Sequence, residues 1–378
     1  MFRTSSAAGF KISVPDYIAG LEPYPPGKPI EELEREYGLT NAIKLASNEN
    51  PLGPSPAALD AIREALPRLH RYPDGSGYSL RKRLSEKFQL PFDGIVLSNG
   101  SNELIDLAIR TFLLPQDEVV LPVPSFLVYQ LAVQTMGGKT LSVPLKNFTI
   151  DLPQTATAVT PHTKIVFINN PNNPTGTLVS KAAFDAFLES IPPHIVVVLD
   201  EAYLEFARDR DTPRGFDYIH RPGPFVIVAR TFSKAYGLAG LRIGYGAMAP
   251  PLAEYLQRVR QPFNTGLLSQ LAALAALDDD SFLERTRQVV TEGLTFLYRE
   301  MARLRLKTVP TQANFLLIEV PCDARRVYEA MLRQGVIIRP MNAYGMVNTI
   351  RVNTGLPEEN ERFVRSLEET LHQLQGSN

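Results

Sequence analysis

This sequence predicts an α/β fold with a mostly parallel central sheet flanked by helices, and three observations carry that expectation. Short β-rich runs alternate with helical patterns through the middle of the chain, which argues for packed layers of strand and helix. Several of the runs are apolar at consecutive positions, as strands covered on both faces are. Most of them also stop at a cluster of polar residues, and in an open parallel sheet such strand ends share the edge where ligands bind.

Taken in order, the first ~45 residues are proline-rich ("LEPYPPGKPIEELEREYG") and read as an arm with one short helix. The candidate strands follow: "GIVL" from Gly94, "EVVLPV" from Glu118, "TLSV" from Thr140, "KIVFI" from Lys164, "IVVVL" from Ile195, "FVIVA" from Phe225 and "RIGYGAM" from Arg242. Between them, "NELIDLAIRTFLL" repeats Leu104, Ala108 and Phe112 at helical spacing, and "SKAAFDAFLES" repeats Phe184 and Leu188. Beyond residue 250, "SFLERTRQVVTEGLTFLYREMARL" predicts a long amphipathic helix and "NFLLIEV" a strand. "DARRVYEAMLRQ" predicts a helix closed by Gly335, with "VIIRP" and "TIRVNTG" as further strands before a last helix from Pro357. The expected units are an N-terminal arm (1–45) packing with the small unit, a large unit (46–255) that carries these polar strand ends and a small C-terminal α/β unit (256–378).

Composition excludes several classes. The 39 basic and 40 acidic residues leave no excess charge to attract nucleic acid or an anionic membrane. Cys322 stands alone, which excludes an intrachain disulfide or a cysteine-rich metal cluster. His70, His162, His194, His220 and His372 lack metal-ligand spacing, so no metal is expected. No apolar run is long enough to span a bilayer, and the N-terminus lacks the apolar core of a signal peptide. A soluble cytoplasmic protein is the expectation.

The strand ends hold the chemistry. "NGSNELIDL" sets Gly100, Ser101 and Asn102 at a helix start, where free N–H groups and a hydroxyl suit an anion such as phosphate. A plain N-cap accounts for the same residues. "NNPNNPTG" is a proline-fixed turn unusually dense in amides. Asp200 follows five apolar residues, and a carboxylate so buried must be paired or protonated; Tyr203 lies three residues on. "RTFSKAYGLAGLRIGYG" presents Lys234 behind Thr231 and Ser233, with Arg242 eight positions later. Arg339 and Arg351 sit within apolar strands, where a guanidinium meets a carboxylate or phosphate, either of a ligand or of a structural ion pair. A carboxylate, a tyrosine, an amide, a phosphate-binding helix start and a lysine together describe pyridoxal phosphate, whose aldehyde takes a lysine and whose ring nitrogen takes an acid.

"PYPPGKPIEELERE", "LASNENPLGPSP", "RYPDGSGYSLR", "NPNNPTG", "DEAYLEF", "RTFSKAYGLAGLRIGYG" and "GVIIRPM…IRVNTG" occur in order over nearly the whole chain. The chain thereby resembles the histidinol-phosphate aminotransferase family of the aspartate aminotransferase superfamily, the fold-type-I pyridoxal-phosphate enzymes. That resemblance implies a Schiff base on Lys234, Asp200 on the pyridinium nitrogen, and Asn173 and Tyr203 on the phenolate oxygen. It further implies a phosphate site of Gly100, Ser101, Asn102, Thr231, Ser233 and Arg242. Phe126 ("PSFLVY") matches a ring-stacking aromatic that is tyrosine in many members, so a hydroxyl is lost here. Tyr72 matches a residue that reaches the phosphate of the neighbouring subunit, which implies a homodimer. Tyr24, Asn48, Arg339 and Arg351 match substrate contacts, with Arg351 as the carboxylate-binding arginine. The implied activity is transamination between histidinol phosphate and glutamate/2-oxoglutarate. An aromatic amino-acid aminotransferase is the alternative within the superfamily. A nicotinamide (NAD) dehydrogenase reading of "GLAGLRIGYG" fails on glycine spacing and on the missing ribose-binding acid.

Overall fold

The computed structural model describes residues 2–7, 10–24 and 27–376. Met1, Ala8, Gly9, Pro25, Pro26, Ser377 and Asn378, which the expected arm and C-terminal unit include, lie outside the described residues. Its centre is a seven-stranded sheet in the order Ile95–Ser98, Gly244–Ala247, Phe225–Thr231, Val196–Asp200, Thr163–Asn169, Glu118–Val123, Lys139–Pro144. The last five run parallel. Gly244–Ala247 is antiparallel to both of its neighbours, so Ile95–Ser98 points the same way as the other five. The polar ends Ser98, Asn169, Asp200 and Thr231 therefore share one edge.

Unbroken apolar runs have a simple cause here. Val197, Leu199, Val166, Ile168, Val226 and Val228 face one hydrophobic core. Their neighbours Val196, Val198, Ile165, Phe167, Ile227 and Ala229 face a second. Helix Gly100–Phe112 buries Leu104, Ala108 and Ile109 in the second core. Helix Lys181–Ser190 buries Phe184 and Leu188 in the first. Both follow from the period of 3.6 that sets such residues on one helical face.

A four-stranded antiparallel sheet forms beyond it, ordered Thr308–Val309, Phe315–Glu319, Thr349–Asn353, Arg339–Pro340. Helices Asp280–Arg303, Ala324–Arg333 and Pro357–Gly376 accompany it. Gly335 adopts the left-handed conformation expected just past a helix end (φ 74°). Helix Leu267–Leu277 lies against Pro56–Ala65 and Tyr78–Phe88, so the chain stays with the large sheet for a stretch after residue 255.

Three expectations need correction. "VIIRP" is not one strand: Val336–Ile337 pairs in parallel with Ile43–Lys44, while Arg339–Pro340 joins Thr349–Asn353. The chain changes partners at Ile338, which a uniformly apolar run does not signal. The arm holds more than one short helix. It forms a hairpin (Phe2–Ala7 with Phe10–Pro15), helices Asp16–Ala19 and Ile30–Tyr37, and the strand Ile43–Lys44. Leu33 and Ala46 pack there with Leu332 and Ile337 of the C-terminal unit. Finally, the "RIGYGAM" strand begins only at Gly244, because Arg242 takes a left-handed backbone (φ 53°) that ends a 3₁₀ turn at Ala239–Leu241.

Candidate active site

Of the candidate site residues, all but Gly100 and Tyr72 line one cavity of about 460 Å³ at the carboxyl edge of the large sheet. Its wall carries Lys234, Arg242, Arg339 and Arg351 against Glu49 and Asp200. Glu49 is held by Lys44 at 3.0 Å. The remaining positive balance suits an anionic ligand.

Asp200 closes its strand on the face shared with Val196 and Val198. Its side chain accepts hydrogen bonds from the Tyr129 hydroxyl (2.7 Å) and the Ala202 N–H (3.1 Å). Among the described residues it forms no ion pair, so the structural salt bridge weighed from the sequence is not made. Burial without a counter-charge pushes its pKa up to about 6, with the two hydrogen bonds opposing.

Lys234 donates to the Ser47 carbonyl (2.9 Å), and its ammonium lies 5.8 Å from the Tyr203 ring centroid. Burial first, then the positive charge of Arg351, brings its pKa down to about 8. An appreciable neutral fraction of this amine is therefore present near neutral pH. Tyr203 is pushed up to about 12, chiefly by burial, and stays a neutral phenol. Asn48 donates to the Tyr203 oxygen at 3.0 Å, which leaves the phenol's own hydrogen to be given to a ligand.

Among the described residues, two arginines have neutral partners only. Arg351 donates to Asn173 Oδ1 (2.5 Å) and the Ala46 carbonyl (2.9 Å), and its buried Nε has no partner among the described residues. No ion pair forms at Arg351 among the described residues, so its charge is available to an anion. Arg242 donates to Ser233 Oγ (3.2 Å) and to the carbonyls of Ala239 (2.9 Å) and Asn99 (3.4 Å). Thr231 Oγ1 donates to Ser233 Oγ (3.0 Å) and accepts the Ser233 N–H (3.1 Å).

Gly100 matters here for its missing side chain. Its φ is 71°, and a Cβ would lie 2.6 Å from Arg242 Nη2. The glycine thus lets the guanidinium rest against the start of helix Gly100–Phe112, beside Ser101 and Asn102. The first-turn N–H groups of that helix have no intrahelical acceptors, so hydroxyls, N–H groups and a guanidinium converge as an anion cradle.

Phe126 walls the cavity, and Arg339 stands 5.7 Å from the Tyr24 ring. Tyr72 is elsewhere: it is 82% exposed and stacks on Phe263 at 4.9 Å. The structure also supplies residues the sequence did not signal. Tyr129, which bonds Asp200, reads as another core aromatic. Asn353 Oδ1 accepts the Asn48 N–H (3.0 Å), and Asn314 donates to the Asn48 carbonyl (3.2 Å), tying the small sheet to the site. Asn48, held by both, takes a left-handed backbone (φ 55°), which asparagine tolerates.

The model of the "Aminotransferase class I and II" family matches residues 40–367. Histidinol-phosphate aminotransferase of Moorella thermoacetica is 46% identical over 354 residues, covering 94% of this chain and 92% of that protein. Histidinol-phosphate aminotransferase 1 of Nitrosococcus oceani is 47% identical over 357 residues, covering 94% and 96%. The crystal structure of histidinol-phosphate aminotransferase from Sinorhizobium meliloti, in complex with pyridoxal 5′-phosphate, superposes with a TM-score of 0.88 at 29% identity, covering 98% and 99%. Aspartate aminotransferase from Thermus thermophilus with maleate shares the fold, at a TM-score of 0.81 and 23% identity.

Proposed function

This chain belongs to the class I and II aminotransferases, and from that premise we propose that it carries amino groups between histidinol phosphate and 2-oxoglutarate. The enzyme is pyridoxal-phosphate dependent. The observation that carries the site reading is Asp200: a carboxylate buried without a cation, sharing a cavity with a lysine of depressed pKa. A protonated ring nitrogen is the counter-charge it lacks, so the residues present fit this cofactor. The substrate reading is supported by the names of relatives at 46–47% identity.

When bound, pyridoxal phosphate supplies an aldehyde that takes up an amino group and a ring that draws electrons from the carbon losing its proton. Lys234 would hold the aldehyde and, once displaced by the donor, act as the base and then the acid that moves that proton. Its lowered pKa keeps part of it neutral for the first task. Asp200 would hold the proton on the ring nitrogen. Tyr203 would give its phenolic hydrogen to the ring oxygen. Asn173, whose Oδ1 is taken by Arg351, has its amide hydrogens left to donate there as well. Gly100, Ser101, Asn102, Thr231, Ser233 and Arg242 would cradle the phosphate. Phe126 would cover the ring face without adding a hydroxyl.

Arg351 would take the carboxylate of glutamate, and Arg339 with Tyr24 the phosphate of histidinol phosphate, with Asn48 alongside. Exposed Tyr72 would complete the site of a second copy, making the working unit a homodimer. No helix among the described residues is long and apolar enough to cross a membrane; we place the enzyme in the cytoplasm. One observation favours aromatic amino acids as a second substrate class: Phe126, which lines the main cavity, also lines with Tyr344 a second, mostly apolar cleft of about 220 Å³.

A panel of histidinol phosphate, phenylalanine and tyrosine, each with 2-oxoglutarate, tests this reading. The highest kcat/KM is expected with histidinol phosphate; a preference for phenylalanine or tyrosine would replace the substrate reading. On the same panel, Arg339→Gln should cut kcat/KM for histidinol phosphate roughly 10- to 100-fold, on the scale of a lost hydrogen bond to a charged group. With glutamate added to the panel as a donor, the loss should be much smaller, and equal losses would refute the division of labour between the two arginines.

A further inference from the structure

We propose that Tyr129 is a positioning residue, which sets the two groups that grip the cofactor ring, Asp200 and Phe126; this rests on the pyridoxal-phosphate reading of the site. Tyr129 lies in the first turn of helix Val128–Thr135, and its N–H donates to the Phe126 carbonyl (3.1 Å). Its ring is 1% exposed and stacks on Phe167 at 4.6 Å and 16°. Its edge meets Phe126 at 5.7 Å and 89°. A phenol so clamped has little freedom, and its hydroxyl sits 2.7 Å from Asp200 Oδ2.

Two consequences follow. The carboxylate is oriented by a donor on each oxygen, Tyr129 on one and the Ala202 N–H on the other. A hydrogen bond to the charged form also favours that form, against the cost of burying it. Asp200 is thus kept anionic and aimed, the condition for holding a protonated ring nitrogen. The same side chain packs against the Phe126 ring. Burial holds the Tyr129 phenol well above its ordinary pKa, so it remains a donor.

Tyr129→Phe removes the hydroxyl and keeps the ring with both aromatic contacts, so no cavity is opened in the core. The test is the affinity of the cofactor-free protein for pyridoxal phosphate, followed by fluorescence quenching, in a double-mutant cycle with Asp200→Ala. In the parent background, Tyr129→Phe is expected to weaken binding about tenfold, as loss of a hydrogen bond to a charged group does. In the Asp200→Ala background the same change should cost about twofold or less, because there is no carboxylate left to aim. Tyr129→Leu, which also withdraws support from Phe126, should weaken binding further than Tyr129→Phe. Unchanged affinity in Tyr129→Phe, or an equal loss in both backgrounds, overturns the positioning role while leaving the cofactor reading intact. A parent protein that binds no pyridoxal phosphate overturns both.

Discussion

Replacing Lys234 by alanine is expected to abolish transamination, lowering turnover by at least roughly 10⁴-fold, the upper end of what a positioned acid–base group contributes. The reason is placement. The amine hangs on the Ser47 carbonyl in the cavity that Asp200 also lines, in an environment that leaves it partly neutral. Beside it stand two guanidinium groups, Arg351 and Arg242, the neutral phenol Tyr203, and Glu49, whose carboxylate is held by Lys44. The variant should also lack the visible absorption of a lysine-bound aldehyde. Misfolding is told apart by melting the cofactor-free proteins at several pH values. A lysine whose folded pKa is about 8, against 10.5 unfolded, destabilises the parent fully below 8. That cost fades as pH rises from 8 to 10.5. Relative to alanine, the parent should therefore gain stability across this window, and a pH-independent gap would count against the buried-amine account.

Asp200→Asn is expected to produce the second largest loss, with the opposite effect on the empty protein. Removing one member of a buried charge pair costs ~3–5 kcal/mol, so turnover of the cofactor-loaded enzyme should fall on the order of 10²- to 10⁴-fold. In the cofactor-free protein there is no pair to lose. There the folded pKa of about 6, against 3.8, means that the native state holds a proton the unfolded chain releases between those values. Stability of the parent thus falls as pH rises from about 4 to 6, and the full cost, about 3 kcal/mol, is present above 6. Asparagine removes that cost and still offers one oxygen to Tyr129. Cofactor-free Asp200→Asn should therefore melt higher than the parent at pH 7, with the difference shrinking toward pH 4. A variant equally impaired in activity and in cofactor-free stability would contradict this.

These expectations rest on residues whose positions were legible in the sequence for a physical reason. A strand buried on both faces is an unbroken apolar run, so the residue that ends it stands out; Asp200 after "IVVVL" and Arg230–Lys234 after "FVIVA" are of this kind. Parallel pairing then gathers such ends on one edge without further instruction. Other features were not legible because their cause is tertiary. Tyr129 differs from a core aromatic only in where its hydroxyl ends up. Asn314 and Asn353 read as ordinary strand-end amides until both are seen holding Asn48. "VIIRP" divides between two sheets because each pairing involves two residues, too few for any periodicity to register. Tyr72 shows an exposed ring stacked on Phe263, and its expected task requires a second copy of the chain.

The central claim is that Lys234 and Asp200 grip one small ring, the lysine through a covalent bond to its aldehyde. Reduction of the pyridoxal-phosphate-loaded protein with borohydride, followed by mass analysis of its peptides, tests it most directly. One phosphopyridoxyl adduct per chain is expected, carried by the peptide that contains Lys234 and absent from it in Lys234→Ala. Stoichiometric labelling of any other lysine, or no stable label at all, would contradict it.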